Sequence, residues 1–205
     1  MGRCVAGRMD RAYHLPATIM QIRFLQPADL DQLADIDATV ESLSYLHVDQ
    51  SGAGLAMLWK IEERPLRSKL IASNPIDDDQ RFSIRQIASG ADEGIGLVAE
   101  HDGAIVALAA ARPVPQHNTL ALLDLRVDYD LRRQGIATAM LYQLLQYARD
   151  NQLRAVVAES KTNNIPACQL LAKCGFDLAG VDVRRNSNHD LVKESVTLFW
   201  YAALD

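Results

Sequence analysis

Residues 122–139 carry the densest chemistry in the chain: an apolar stretch, Leu122-Leu123-Asp124-Leu125-Arg126-Val127, runs through a short charged loop into Gly135-Ile136-Ala137-Thr138. A strand that feeds a helix through such a loop builds an anion site. The first helical turn has amide N–H groups with no intrahelical partner, and the macrodipole adds about half a positive charge there. Gly135 and Ala137 leave room for a phosphate to approach the backbone, and Arg132 and Arg133 add planar, permanently charged donors. No Gly-Lys-Ser/Thr follows, so this is not a Walker loop, and the dinucleotide pattern Gly-x-Gly-x-x-Gly is absent.

Two carboxylates stand close to this segment. Asp124 lies inside the apolar stretch, where an unpaired charge is costly, so it either works as a base, orients one, or sits in a structural ion pair. Glu159 follows the apolar run Ala155–Ala158, at the carboxyl end of a strand, where parallel α/β sheets place their ligands. It suits amine binding or base work, against the alternative of a solvated strand end. The remaining reactive types are scattered. His14, His47, His101, His117 and His189 fall among predicted loops, and Cys4, Cys168 and Cys174 form no Cys-x-x-Cys pair, so no metal site and no disulfide framework is expected. Cys168 and Cys174 read as helix packing residues, and Trp200 and Tyr201 as packing on a last strand.

The elements that must position these groups follow from punctuation and period. Gly96–His101 and Ala104–Ala111 flank Asp102-Gly103, a strong hairpin turn, with Pro113 and Pro115 ending the second strand. Thr119–Val127 is apolar on both faces, as a central strand must be. Ala137, Leu141, Leu144, Leu145 and Ala148 make the apolar stripe of a helix from about Ile136 to Asn151. A strand over Ala155–Ala158, a helix from Pro166 to Cys174 closed by Gly175, and strands over Val181–Arg185 and Ser195–Tyr201 complete the pattern. Before residue 94 the periods are weaker. Gln21–Leu25 alternates like a strand, Pro27 opens a helix through Leu30, Leu33, Ala34 and Asp37, and helical pieces are predicted over Leu55–Glu63 and Leu66–Ala72. Asp77-Asp78-Asp79 reads as a solvated loop. Hairpins followed by a strand–helix–strand–helix unit make a mixed α/β fold.

The chain has 205 residues, with 26 acidic against 21 basic side chains and a formal charge of -5. That balance argues against a constitutive nucleic-acid binder and mildly favours cationic ligands. The longest unbroken apolar run, Ala104–Ala111, is far too short for a membrane helix, and residues 1–19 hold no apolar core of a secretory signal. Residues 1–19 are expected to be a disordered leader, 20–205 a single domain, and the location cytoplasmic.

Arg132-Arg133-Gln134-Gly135-Ile136-Ala137 resembles the Gln/Arg-x-x-Gly-x-Gly/Ala motif of the GCN5-related N-acetyltransferase (GNAT) superfamily. A second element, Asn164 through Leu171-Ala172-Lys173-Cys174-Gly175-Phe176, is similar to that superfamily's Asn-x-x-Ala-x-x-Leu/Phe-Tyr-x-Lys-x-Gly-Phe. Within the superfamily, Glu159–Cys168, Lys173–Phe176, Gly180-Val181-Asp182 and Leu198–Tyr201 most resemble streptothricin acetyltransferases. The resemblance implies a mostly antiparallel central sheet with one parallel, splayed strand pair, flanked by helices. It implies acetyl-CoA as cosubstrate and no metal. The pyrophosphate would lie on Arg132, Arg133, Gln134, Gly135, Ile136, Ala137 and Thr138, the pantetheine arm along the backbones of Leu125 and Val127, and Asn164 would bond the cofactor near the second helix.

The implied activity is acetyl transfer to a primary amine on a small, cationic molecule, with no nucleic-acid or membrane partner and a homodimer left open. A catalytically weak acyl-CoA-binding or regulatory module and a protein lysine or N-terminal acetyltransferase are the alternatives. Two positions depart from the superfamily. Leu123 stands where many relatives hold a carboxylate, and Leu171 where they hold the tyrosine that protonates the leaving thiolate. Glu159 or Asp124 is then expected to handle the amine proton, and Tyr129, Tyr142 or water the leaving group.

Overall fold

A computed structural model describes residues 20–204, so the expectation of a disordered leader over 1–19 lies outside the described residues. Nine strands and three α-helices are present among the described residues: β1 (Gln21–Phe24), β2 (Val40–Ala53), β3 (Ala56–Ala72), α1 (Asp78–Ser89), β4 (Ile95–His101), β5 (Ala104–Val114), β6 (Thr119–Val127), α2 (Ile136–Asp150), β7 (Ala155–Lys161), α3 (Ile165–Lys173), β8 (Asp177–Asp182) and β9 (Thr197–Ala203). Seven strands form one sheet in the order β1-β4-β5-β6-β7-β9-β8, while β2 and β3 form a separate two-stranded ribbon. Every pair in the main sheet is antiparallel except β6–β7. The mixed, mostly antiparallel sheet with one parallel pair is the expected fold class.

Alternation along the central strands divides the core between the two faces of the sheet. Leu97, Ala99, Ala107 and Ala109 pack with Met140, Leu141 and Leu144 of α2, all but fully buried. Val98, Leu108 and Ala110 point the other way, onto Ile84 of α1 and Leu33 and Ile36. The alanines of β5 let a helix lie close to each face. Burying one such leucine contributes about 1.5–3 kcal/mol.

Several expectations before residue 94 are corrected. Pro27 opens only a three-residue 3-10 turn, Pro27–Asp29, and a second covers Gln32–Asp35, so there is no α-helix there. The helical pieces over Leu55–Glu63 and Leu66–Ala72 are instead one strand, β3, paired with β2 from Ala53↔Ala56 to Val40↔Ala72. Leu, Met, Lys, Glu and Arg favour helix locally, yet Val48↔Ile61 and Leu46↔Glu63 gain partners across the ribbon. The ribbon is fixed at its middle, where Leu46 N donates to the Thr162 carbonyl at 2.9 Å. Pro65 is tolerated because a two-stranded ribbon has open edges and a register shift lies opposite, between Ser42 and Ser44. Gly54, at φ +60, makes the tight return at the tip.

Asp77-Asp78-Asp79 is not a loop but the start of α1. Asp77 Oδ1 accepts from Gln80 N at 2.8 Å, and Gln80 Oε1 accepts from Asp77 N at 3.1 Å, a reciprocal cap. Acidic residues there also suit the helix macrodipole. Pro113 does not end β5, which pairs on through Pro113↔Leu120 to Val114. Strand β7 extends past Ala158 to Lys161, and β8 covers 177–182 rather than Val181–Arg185.

Candidate functional site

The parallel pair holds together only over Thr119–Ala121 against Ala155–Val157. Beyond that the strands part, so β6 continues to Val127 with partners on its β5 side alone. A bulge at the Ala110/Ala111 register leaves Leu123 as the extra residue of β6. Bulges bend a strand and re-aim its side chains, and this one falls where the strands separate. The gap is one wall of a cavity of about 560 Å³, which Leu125 and Val127, the amino end of α2, and Asn164 and Leu171 of the α3 region all line. The structure thus brings together Asp124, Leu125, Val127, Arg132, Arg133, Gly135, Ile136, Ala137, Thr138, Glu159 and Asn164 around one space. Gln134 lies in the same loop but not on the cavity wall.

The end of the cavity at α2 is built by the backbone. Gly135 occupies the N-cap of α2 at φ +87, with no side chain capping the helix. A Cβ at Gly135 meets no atom within 4 Å, so the approach to the free amides is open. That combination fits a diphosphate held by main-chain N–H groups. The two arginines differ. Arg132 is committed to carbonyls, with Nε to Val127 at 3.1 Å, Nη1 to Thr39 at 2.5 Å and Nη2 to Asp37 at 3.4 Å, and its guanidinium stacks 5.1 Å from the Tyr129 ring. It ties the loop to the segment before β2. Arg133, at φ +64, has no such ties among the described residues. Asn164 caps α3 by accepting from Ala167 N at 3.2 Å, which leaves its Nδ2 as the group a ligand can use.

At the other end lie the carboxylates. Asp124 is 7% exposed and pairs with Arg126, which is 4% exposed. Arg126 Nε donates to Asp124 Oδ2 at 2.8 Å and Nη1 to the Asn74 carbonyl at 3.1 Å. Nη2 lies 2.6 Å from the same Oδ2 without hydrogen-bond geometry. Burial pushes the Asp124 carboxyl above the usual aspartate range, against the downward pull of Arg126 and the Leu125 amide, while nearby Asp77 adds to the upward push. Glu159 is exposed and accepts from Arg185 Nη2 at 3.0 Å, an ion pair of the kind worth about 0–1 kcal/mol and easily exchanged for a cationic ligand.

Neither tyrosine named for the leaving group reaches the cavity. Tyr129 donates to Glu41 Oε2 at 2.8 Å, and that glutamate also bonds Lys69, so Tyr129 braces the ribbon base. Tyr142 is exposed on α2. Sequence reasoning passed over Arg126, Asn74 and Ser160, which all line the cavity. The signal for Arg126 was present, since a cation two residues from Asp124 shares its face of the strand. Nothing local marked Asn74, which arrives from the far end of β3. Cys168 and Cys174 are buried thiols whose ionisation burial disfavours. No group of metal-ligating side chains occurs among the described residues, and no helix there is long and apolar enough to cross a membrane.

A model of the acetyltransferase (GNAT) family matches residues 53–176. A streptothricin acetyltransferase of Escherichia coli is 34% identical over 85 residues, 41% of this chain and 49% of that protein. The match thus spans about half the length of that protein, as it does for the Bacillus subtilis streptothricin acetyltransferase A. The crystal structure of a nourseothricin acetyltransferase superposes with a TM-score of 0.73 at 19% identity, covering 91% of this chain and 99% of that one. A Bacillus anthracis structure, named as a candidate streptothricin acetyltransferase and holding acetyl coenzyme A, gives a TM-score of 0.72 at 22% identity, covering 91% and 100%. At such identities the two structures establish a shared fold.

Proposed function

Because the chain belongs to the acetyltransferase (GNAT) family, we propose that it transfers the acetyl group of acetyl-CoA to a primary amine carried by a small, cationic molecule. One observation carries this reading: the unpaired half of β6, the uncapped amino end of α2 and two carboxylates all face one cavity. The bound cosubstrate supplies an acetyl thioester, whose carbonyl the amine attacks.

The protein's share of the work divides along the cavity. The amides of residues 135–138 hold the diphosphate, Arg133 adds charge, and the Leu125 backbone and the Val127 N–H, without strand partners on the β7 side, offer strand-like hydrogen bonds to an extended arm. At neutral pH an alkylammonium must lose a proton before it can attack, which costs about 4–5 kcal/mol for a pKa near 10.4. Asp124 and Glu159 are the carboxylates lining the cavity. Asp124, raised by burial, is the better matched proton acceptor. Glu159, exposed at the mouth, attracts the cation.

Leu123 and Leu171, both on the cavity wall, favour a second reading as an acyl-CoA-binding module with weak catalysis. Calorimetry with CoA, followed by thiol release from acetyl-CoA across polyamines, aminoglycosides, streptothricin and lysine peptides, separates the readings. Release with a small cationic amine supports the first. Tight CoA binding with no acceptor turned over supports the second. Preference for lysine peptides gives a protein acetyltransferase.

A further inference from the structure

Resting on the acetyltransferase reading, we propose that Ser160 is a catalytic residue that donates a hydrogen bond to the coenzyme sulfur as it leaves, oriented by Trp200. A leaving thiolate needs a donor, and no tyrosine lines the cavity among the described residues. The hydroxyls that do are Thr138, in the first turn of α2, and Ser160, on β7 just beyond the point where β6 and β7 part. Ser160 is 7% exposed, and its neighbours fix which way its proton points.

Trp200 Nε1 lies 2.8 Å from Ser160 Oγ. An indole N–H is a donor only, so Ser160 must accept there and keeps its own O–H free to donate. The other polar atom at hand is Cys168 Sγ, at 3.3 Å, a weak acceptor whose own S–H reaches the Lys161 carbonyl at 3.6 Å. Without a coenzyme the serine proton is thus directed at a poor acceptor, which a thiolate easily outcompetes. Donation from Trp200 also polarises the hydroxyl and strengthens the bond it gives. Cys168 and Leu171 lie three residues apart on α3, on one face, so the serine lies beside the position where Leu171 offers no donor.

The step balances simply. The ammonium gives one proton to the carboxylate, and the neutral nitrogen bonds to the carbonyl carbon; as the carbon–sulfur bond breaks, its electron pair passes to sulfur, the second nitrogen proton goes to water, and Ser160 keeps its own proton on oxygen while sharing it. The thiolate takes a proton from solvent after release.

The test titrates the thiol of bound CoA by the ultraviolet absorbance of its thiolate, a readout that needs no acceptor. The proposal expects Ser160→Ala to raise the bound thiol's pKa by about one unit relative to the wild type, with Trp200→Phe shifting it the same way by less and Ser160→Thr restoring it. With an acceptor in hand, Ser160→Ala should lower kcat about ten- to a hundredfold, the range for one charged hydrogen bond, with KM for acetyl-CoA nearly unchanged. If Ser160→Ala does not fold, Trp200→Phe alone carries the test. An unchanged thiol pKa in the folded variants overturns the proposal and leaves the acetyltransferase reading intact. Failure of CoA to bind the wild-type protein overturns that reading and this proposal with it.

Discussion

Asp124 and Arg126, two residues apart on β6, form a buried ion pair in the cavity wall, with Arg126 Nε 2.8 Å from Asp124 Oδ2. A buried pair is expensive, because each ion loses several kcal/mol of hydration. Here the arginine is further satisfied by the Asn74 carbonyl, which draws the chain between β3 and α1 onto the site. If Asp124 accepts the amine proton, it must be ionised to act. Activity then rises with pH through its pKa, which burial sets above the ordinary aspartate value.

Asp124→Asn should remove that acid limb from the pH profile of kcat/KM and lower the rate by roughly 10²–10⁴. Glu159→Gln should keep the limb and raise KM for a cationic acceptor. Arg126→Met should move the limb to higher pH, since the cation that pulls the Asp124 pKa down is gone, and should cost about 3–5 kcal/mol of stability by stranding a buried charge. A profile unchanged in Asp124→Asn would assign the proton to another group.

Gly135→Glu should abolish CoA binding while the fold persists. The new side chain enters open space at the amino end of α2, where it places a negative charge against the diphosphate, and φ +87 is unfavourable for any residue with a Cβ. Calorimetry with CoA and a thermal melt report the two effects separately.

Turnover of a cationic acceptor should fall as ionic strength rises. The formal charge is -5, and Glu159 lies exposed at the cavity. Screening shortens the reach of such charges to about 10 Å at 0.1 M salt. Initial rates between 20 mM and 500 mM salt, measured at low acceptor concentration, check this; a flat response or an anionic preference would count against a cationic acceptor.

Acid should unfold the protein in part through Asp29. Two bonds from Arg23, at 2.7 and 2.8 Å, hold its carboxyl below the usual range, so it remains ionised in the folded state when the unfolded chain has taken up a proton. The stabilisation is present above the ordinary aspartate pKa of about 3.9 and is lost as pH falls through the folded value. Melting temperatures of the wild type and Asp29→Asn should therefore converge as pH drops below about 4.

Residues 94–180 were legible because their signals are local and mutually consistent. Asp102-Gly103 fixes a hairpin, the apolar stripe from Ala137 to Ala148 fixes α2, and Gly135 marks the strand-to-helix turn at which α2 begins with uncapped amides. Tertiary structure alone decided the rest. Leu55–Ala72 carries helix-forming residues but becomes a strand because β2 supplies cross-strand partners that no local window contains. The Asp77 run changes from solvated charge to helix cap because Gln80 completes the exchange of hydrogen bonds. Tyr129, a candidate for the acid that the family resemblance implies, is held outside the cavity lining, bonded to a glutamate 88 residues away. Ser160, unremarkable in sequence, gains its direction from Trp200, 40 residues further along on the neighbouring strand β9. Helix starts and tight turns are set by neighbours within about four residues, which a sequence displays. Which donor meets which acceptor inside a cavity depends on strands and loops far apart in the chain, and only their packing brings those groups within 3 Å of one another.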